Sequence, residues 1–408
     1  MLFRGTRDLL PIYALYGVLF ADHGLSTAQI SLLLAMWSVT AFVLEVPSGA
    51  WADTVSRRAL LIASCLLQGT CFALWMIAPS FAGFALGFVV WGIAGALESG
   101  TFEALIYDDL VARDAPGAYA SIMGWSRGAQ ESTVLVAILA AAPLYALGGY
   151  ALVGWVSVGI ALLHTGTALL LPRPPVAISA AAVDDLDDSP PTPDRLGPHA
   201  MPTPPPARYL TMLRTGLDEA FRVRRVRRGV LLGALLYGVT AFDEYFGLLA
   251  VSGGASTSMS ALLIGVTVVG SLVGSLLAGR TESVSSRVLA AALFVAGLLF
   301  VAGALAVGLG GTAMLWLGFV AIGIAYGIDF NAEVIAGARL QDAIAGPARA
   351  TVTSVSGLLS EIVALGVFAF VALATQWLAM STTIALLGLV ILISAALTPT
   401  WLPPRRTG

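Results

Sequence analysis

Polar residues interrupt this chain rarely and at regular intervals, and what lies between them is continuously apolar. The runs predict helices at 9–22, 28–50, 59–79, 81–107, 118–147 and 148–171, then at 229–251, 258–279, 288–309, 312–338, 350–374 and 377–401. Each is near the ~20 residues that cross the hydrocarbon core of a bilayer. In lipid the backbone must satisfy its own hydrogen bonds, so unbroken apolar runs are helices. Their lack of alternation argues against a β-barrel. The pattern predicts an all-α membrane protein with twelve transmembrane helices in two six-helix bundles, residues 1–172 and 230–408, joined by a linker at 173–229.

Composition sharpens this. Of 408 residues, 58% are hydrophobic and 11% charged, and the mean hydropathy is +0.89; soluble proteins carry about 25% charged residues. Cys65 and Cys71 lie six residues apart on one predicted helix, too far for an unstrained disulfide. The N-terminus lacks a small-residue cleavage site, so its first helix is expected to be retained.

The second half repeats the first. A shift of 230 carries Ser26-Thr27 onto Ser256-Thr257, Gly49 onto Gly279, Arg57 onto Arg287, Glu103 onto Glu333 and Glu131 onto Glu361. A register that holds without a gap over that distance is an internal duplication, and parallel repeats of membrane helices are a recurrent transporter plan.

All 21 basic residues are arginine. Arg4, Arg7, Arg57, Arg58, Arg113, the linker arginines, Arg280, Arg287, Arg339, Arg349, Arg405 and Arg406 fall on one side if the helices alternate, and the opposite connections contain none. Positive residues mark the cytoplasmic side. The expectation is a multi-pass protein of the cell's inner (cytoplasmic) membrane with both termini cytoplasmic. The linker begins rich in Pro, Ala and Asp, which cannot bury a core. It then places Leu210, Leu213, Leu217 and Phe221 on one helical face ahead of Arg222, Arg224, Arg225, Arg227 and Arg228. That pattern suits an amphipathic helix on anionic headgroups, and equally a topological stop before helix seven.

Gly49, Asp53, Arg57 and Arg58 lie between helices two and three in the pattern Gly-x-x-x-Asp-x-x-x-Arg-Arg. With twelve helices in a six-plus-six duplication and a long middle loop, this resembles the major facilitator superfamily over the whole chain except the linker. The second copy, Gly279 to Arg287, has Ser283 in place of the acid. The resemblance implies a secondary transporter in which this loop latches the two halves. Glu103 and Glu333, near the ends of helices four and ten, are then expected partners of Arg57 and Arg287. Two departures stand out. Helix four lacks the Arg that drug–proton antiporters of the family carry. Helix five has Ala142-Pro143 and then Gly148-Gly149 where they carry Gly-Pro-x-x-Gly-Gly.

A charge at the bilayer centre costs roughly 2.5–3.5 kcal/mol on insertion scales. Glu98, Glu131, Asp243, Glu244, Asp329 and Glu361 all fall deep in predicted helices, with Arg127 as the one deep cation. Glu131 and Glu361 are repeat equivalents. Glu98, Arg127, Asp243 and Asp329 map onto Ile328, Gly357, Tyr13 and Ser99, and this asymmetry points to substrate or proton binding. So many acids around one cation cannot all be paired when ionised, and a carboxyl that gains and loses a proton in a cavity is what a proton-coupled carrier needs. An acidic cavity disfavours anions. Tyr13, Tyr16, Trp91, Trp125, Tyr245 and Tyr326 could wall it, and aromatic faces attract cations. His164 reads as a packed residue.

No His-Glu-x-x-His, metal-spaced cysteine pair or phosphate-cradling loop is present. The chain therefore reads as no enzyme, with no cofactor, no metal and no nucleic-acid partner. The expectation is a monomeric carrier driven by an ion gradient, exporting a small neutral or cationic amphipathic compound in exchange for protons. A proton-coupled nutrient importer is the alternative; a membrane-anchored sensor acting through Phe221–Arg228 is a third reading.

Overall fold

The computed structural model describes residues 1–176, 178, 222–344 and 349–404. Among these residues the regular structure is all helical, and ten stretches are long and apolar enough to cross a membrane. The helices are α1 (Leu2–Arg7), α2 (Tyr16–Asp22), α3 (Thr27–Thr54), α4 (Arg57–Ile77), α5 (Phe81–Glu98), α6 (Thr101–Ala112), α7 (Tyr119–Ala168), α8 (Arg224–Val239), α9 (Phe246–Ser252), α10 (Thr257–Thr281), α11 (Ser286–Gly308), α12 (Thr312–Ala343), α13 (Arg349–Ala374) and α14 (Met380–Trp401). Against the twelve helices expected, the described residues thus give ten such stretches, the longest of which runs over α7 and its bend.

The starts of these helices follow from capping chemistry. Ser26 and Gln29 form a reciprocal capping box at α3, and its repeat equivalent Ser256 accepts from the Met259 amide at α10. Ser56, Ser80 and Ser285 cap α4, α5 and α11 in the same way.

Three predicted boundaries are corrected. The first helix begins at Leu2, not at residue 9, so the polar head Met1–Asp8 is mostly helix. The predicted helix 81–107 is two, because Gly100 takes a left-handed conformation (φ 67°) between α5 and α6. The expected break between helices 118–147 and 148–171 is met: within α7, Gly148 and Gly149 leave helical geometry. Helix seven starts at Arg224, so Arg224, Arg225, Arg227 and Arg228 occupy its own first turns, where Arg225 and Arg228 donate to the carbonyls of Pro404 and Thr400. Leu210, Leu213, Leu217 and Phe221 lie outside the described residues.

The chain divides into two compact units. One holds Met1–Pro11, Met36–Ala137 and the chain from Ala151 to the linker; the other holds Ile12–Ala35, Ile138–Tyr150 and the chain after the linker. The first is packed around aromatic rings: Trp91 lies among Trp37, Phe72, Trp75 and Phe88, with ring centroids 5.2–6.0 Å away. The second is held together by close backbone approach. A Cβ on Gly270 or Gly274 of α10 would run into the carbonyl of Gly323 or Gly327 on α12. Two small-x-x-x-small faces thus meet directly, the arrangement that replaces hydrophobic driving force between helices in lipid.

Candidate functional site

In the second unit the first helices of both repeats break at the same place. The chain forms a 3₁₀ turn at Pro11–Ala14 and another at Thr240–Tyr245, and adding 230 to Pro11–Ala14 gives 241–244. The two broken helices cross reciprocally just beyond. A Cβ on Gly17 would lie 3.6 Å from the Glu244 carbonyl, and one on Gly247 would lie 3.8 Å from the Ala14 carbonyl. Gly17 and Ala14 shift onto Gly247 and Glu244, so this is a pseudo-twofold contact. Short 3₁₀ stretches within longer helices mark hinges or functional sites, and discontinuous membrane helices are where transporters place their ligands.

Asp243 and Glu244 sit on this broken segment. Asp243 is exposed and Glu244 half-buried. The Tyr326 hydroxyl of α12 donates to Asp243 Oδ2. Tyr326 lies edge-on to Phe246 and Phe330 at 5.8 and 4.7 Å, and Phe242 packs on Phe300 at 4.5 Å. One turn along α12 from Tyr326, Asp329 is fully buried, and neither of its carboxylate oxygens has a hydrogen-bond partner. Glu333, the next acid on the same face, is half-buried. Tyr245 is buried and bonded to Ser31 at 2.7 Å. Tyr16 is buried against Phe20, and Tyr13 is half-buried.

The first unit holds a different cluster. Glu98 closes α5 beside the Gly100 break and is 6% exposed. Arg4 Nη1 and Arg7 Nε reach its Oε1 at 3.0 and 2.7 Å, and Arg4 also donates to Glu103. The Arg4 guanidinium lies 4.6 Å from the centroid of the Phe102 ring, on which Phe3 stacks. Arg7 pairs with Asp8, which accepts from Gln130. His164 is packed against Phe3 and bonded through Nδ1 to Thr6 at 2.9 Å. Arg4 and Arg7 are thus largely buried cations, with side chains 13% and 27% exposed. Arg4 and Arg7, expected in a cytoplasmic head, lie on α1 and pair with Glu98 at the end of α5. Arg127 and Glu131 are exposed on α7 and make no ion pair with each other, and Trp125 is 68% exposed. Trp91 belongs to the aromatic core described above. Glu361 on α13 is half-buried.

The motif loop is built as a polar knot. Arg57 is 4% exposed; it donates to the Ala52 carbonyl at 3.1 Å, pairs with Asp108 at 2.5 Å and donates to the Ile178 carbonyl. The Ile178 amide returns a bond to Asp108. Arg58 donates to the Leu169 carbonyl. Glu103 was the expected partner of Arg57; it serves Arg4 instead, because Asp108 lies a turn nearer the loop. Gly49 and Asp53 lie on the last turns of α3. In the second repeat Arg287 is exposed, and the loop is held by Arg339 of α12, 5% exposed, donating to the carbonyls of Glu282 and Val284. The expected Arg287–Glu333 pair is replaced by this arrangement. Arg339, Arg4 and Arg7 were visible in the sequence only as topology markers, since nothing in their spacing shows which carbonyl or acid they reach. Among the described residues no group of three or more His, Cys, Asp or Glu side chains is placed to hold a metal ion.

No curated protein matches the chain. Solved structures match over nearly its full length. A crystal structure of a variant of the nucleoside transporter NupG aligns with TM-score 0.70 at 12% identity, covering 97% of this chain and 96% of that one. A bacterial homologue of the human lysosomal transporter Spinster, inward-facing and unoccupied, aligns with TM-score 0.67 at 17% identity, covering 97% and 93%. At these identities the likeness is one of fold. The family model of the Major Facilitator Superfamily matches residues 2–364, and with the duplicated, broken-helix architecture this establishes that the chain belongs to that superfamily.

Proposed function

We propose that this protein is a proton-coupled secondary carrier working by alternating access, exporting a small neutral or cationic amphipathic compound across the cytoplasmic membrane. The observation that carries this reading is the acid-bearing break in helix seven. Asp243 is accessible and oriented by Tyr326, aromatic rings flank it, and the buried, unpartnered Asp329 stands one turn away. Accessible acid beside aromatic faces favours a cation or a neutral molecule with an apolar body over an anion. A buried acid with no partner suits a group that exchanges a proton as its surroundings change. Glu98 stands apart from these acids in this reading, because Arg4 and Arg7 already pair with it. In this reading the termini are cytoplasmic, the energy source is the proton gradient, the working unit is a monomer, and there is no cofactor.

A second reading, proton-coupled import of a nutrient, keeps the same site. It is favoured by α7, which has Pro143 but lacks the Gly-Pro-x-x-Gly-Gly pattern of exporters.

Proteoliposomes with an imposed pH gradient test both. Panels of cationic amphipaths and of nutrients such as nucleosides are loaded on either side. Accumulation that follows the gradient in the antiport sense supports export, and the symport sense supports import. Flux that ignores the gradient ends proton coupling.

A further inference from the structure

Tyr245 ends the 3₁₀ segment that carries Asp243 and Glu244, and its hydroxyl lies 2.7 Å from Ser31 Oγ on α3. Both side chains are buried, Tyr245 at 0% and Ser31 at 1% exposure. The direction of the bond can be deduced. Ser31 Oγ also lies 2.9 Å from the Thr27 carbonyl, which can only accept. A hydroxyl has one proton. Ser31 gives its proton to Thr27, so Tyr245 donates to Ser31.

The repeat makes this bond singular. Subtracting 230 from Tyr245 gives Leu15, and adding 230 to Ser31 gives Ala261; both are buried and apolar. The pseudo-twofold contact of Gly17 and Gly247 is thus dressed with a polar bond on one side only, the side that bears the acids. Breaking it without replacement leaves a buried phenol hydroxyl unsatisfied. The Tyr245 ring also meets Phe368 of α13 edge-on at 6.3 Å, so phenylalanine can keep the packing while removing the bond.

We propose that Tyr245 is a positioning residue for the Asp243–Glu244 segment: its bond to Ser31 pins that segment to α3, and releasing it is the step that opens the arginine-free end of the carrier. The proposal rests on the alternating-access reading above, but not on which solute or ion moves.

The test reads accessibility rather than transport. Val18, 1% exposed at the Gly17–Gly247 crossing, is replaced by cysteine in a chain whose Cys65 and Cys71 are serine. Its labelling by a membrane-impermeant maleimide is timed from the arginine-free side. Tyr245→Phe and Ser31→Ala should each speed labelling about fivefold, the shift that loss of one net hydrogen bond gives. The double variant should label no faster than either single one. A control cysteine at Val153, equally buried in the other unit, should stay unlabelled in all of them. Unchanged labelling in Ser31→Ala, multiplied effects in the double variant, or labelling at position 153 in parallel with position 18 would each overturn the proposal. Ser31→Ala decides alone if Tyr245→Phe does not fold. Loss of proton-driven flux with the labelling pattern intact would overturn the functional reading and leave this one standing.

Discussion

Arg339 donates to the backbone carbonyl of Glu282 at 2.9 Å, and the 230-residue shift turns Glu282 into Ala52, whose carbonyl is held by Arg57. The same loop carbonyl is bound by a guanidinium in both repeats. In the first repeat the cation comes from the start of α4, and in the second from near the end of α12. Asp108, the acid that Arg57 pairs with, shifts onto Ala338, which has no carboxylate to offer, and the exposed Arg287 contributes nothing to that knot. A buried Arg from the other end of the hairpin takes over.

Removing these arginines should rank by what each leaves behind. Arg57→Ala strands the Asp108 carboxylate, 1% exposed, and should cost about 3–5 kcal/mol. Arg339→Ala orphans backbone carbonyls and should cost about 1–3 kcal/mol. Arg287→Ala should leave stability nearly unchanged. Thermal unfolding of the purified protein in detergent gives the order, and an Arg287 effect larger than that of Arg339 would refute the exchange of roles.

The cluster around Glu98 should behave as a coupled unit. Glu98→Gln and Arg7→Gln should each destabilise, whereas the double variant should recover part of the loss. A coupling energy of about 1–3 kcal/mol is expected for groups in one network. Strictly additive losses in a double-mutant cycle would show that Arg7 and Glu98 act independently.

Gly274→Val should be poorly tolerated, because its Cβ would meet the Gly327 backbone and force α10 away from α12. Gly279→Val, on the same helix with open space around it, is the matched control. A melting temperature lowered in the first and not in the second is the expected result.

Asp329→Asn should abolish accumulation against a pH gradient yet retain substrate exchange in counterflow, since an amide cannot carry the proton but fills the same space. Asp243→Asn should weaken exchange as well, because it faces accessible space and is oriented by Tyr326. Tyr326→Phe should fall between them. Gradient-driven accumulation surviving Asp329→Asn would remove it from the coupling step.

The acids were legible along the chain because charge in an apolar run is conspicuous, and the shift of 230 singled out Glu98, Arg127, Asp243 and Asp329. Their partners were not legible. Asp243 meets Tyr326 across 83 residues and Arg4 meets Glu98 across 94. Trp91 and Trp125 looked alike in sequence, yet one is packed among four rings and the other is mostly exposed, because the face of a helix that meets a neighbour depends on where that neighbour is.

By itself the sequence determined the solvent, the helical state and the duplication. Lipid punishes unpaired backbone groups, and a repeated register is read directly from letters. Only the tertiary structure decided which charges neutralise each other, that both first helices break at equivalent 3₁₀ turns, and that Arg339 stands in for a lost motif. These depend on distances of about 3 Å between segments far apart in the chain, and a one-dimensional pattern does not contain such distances.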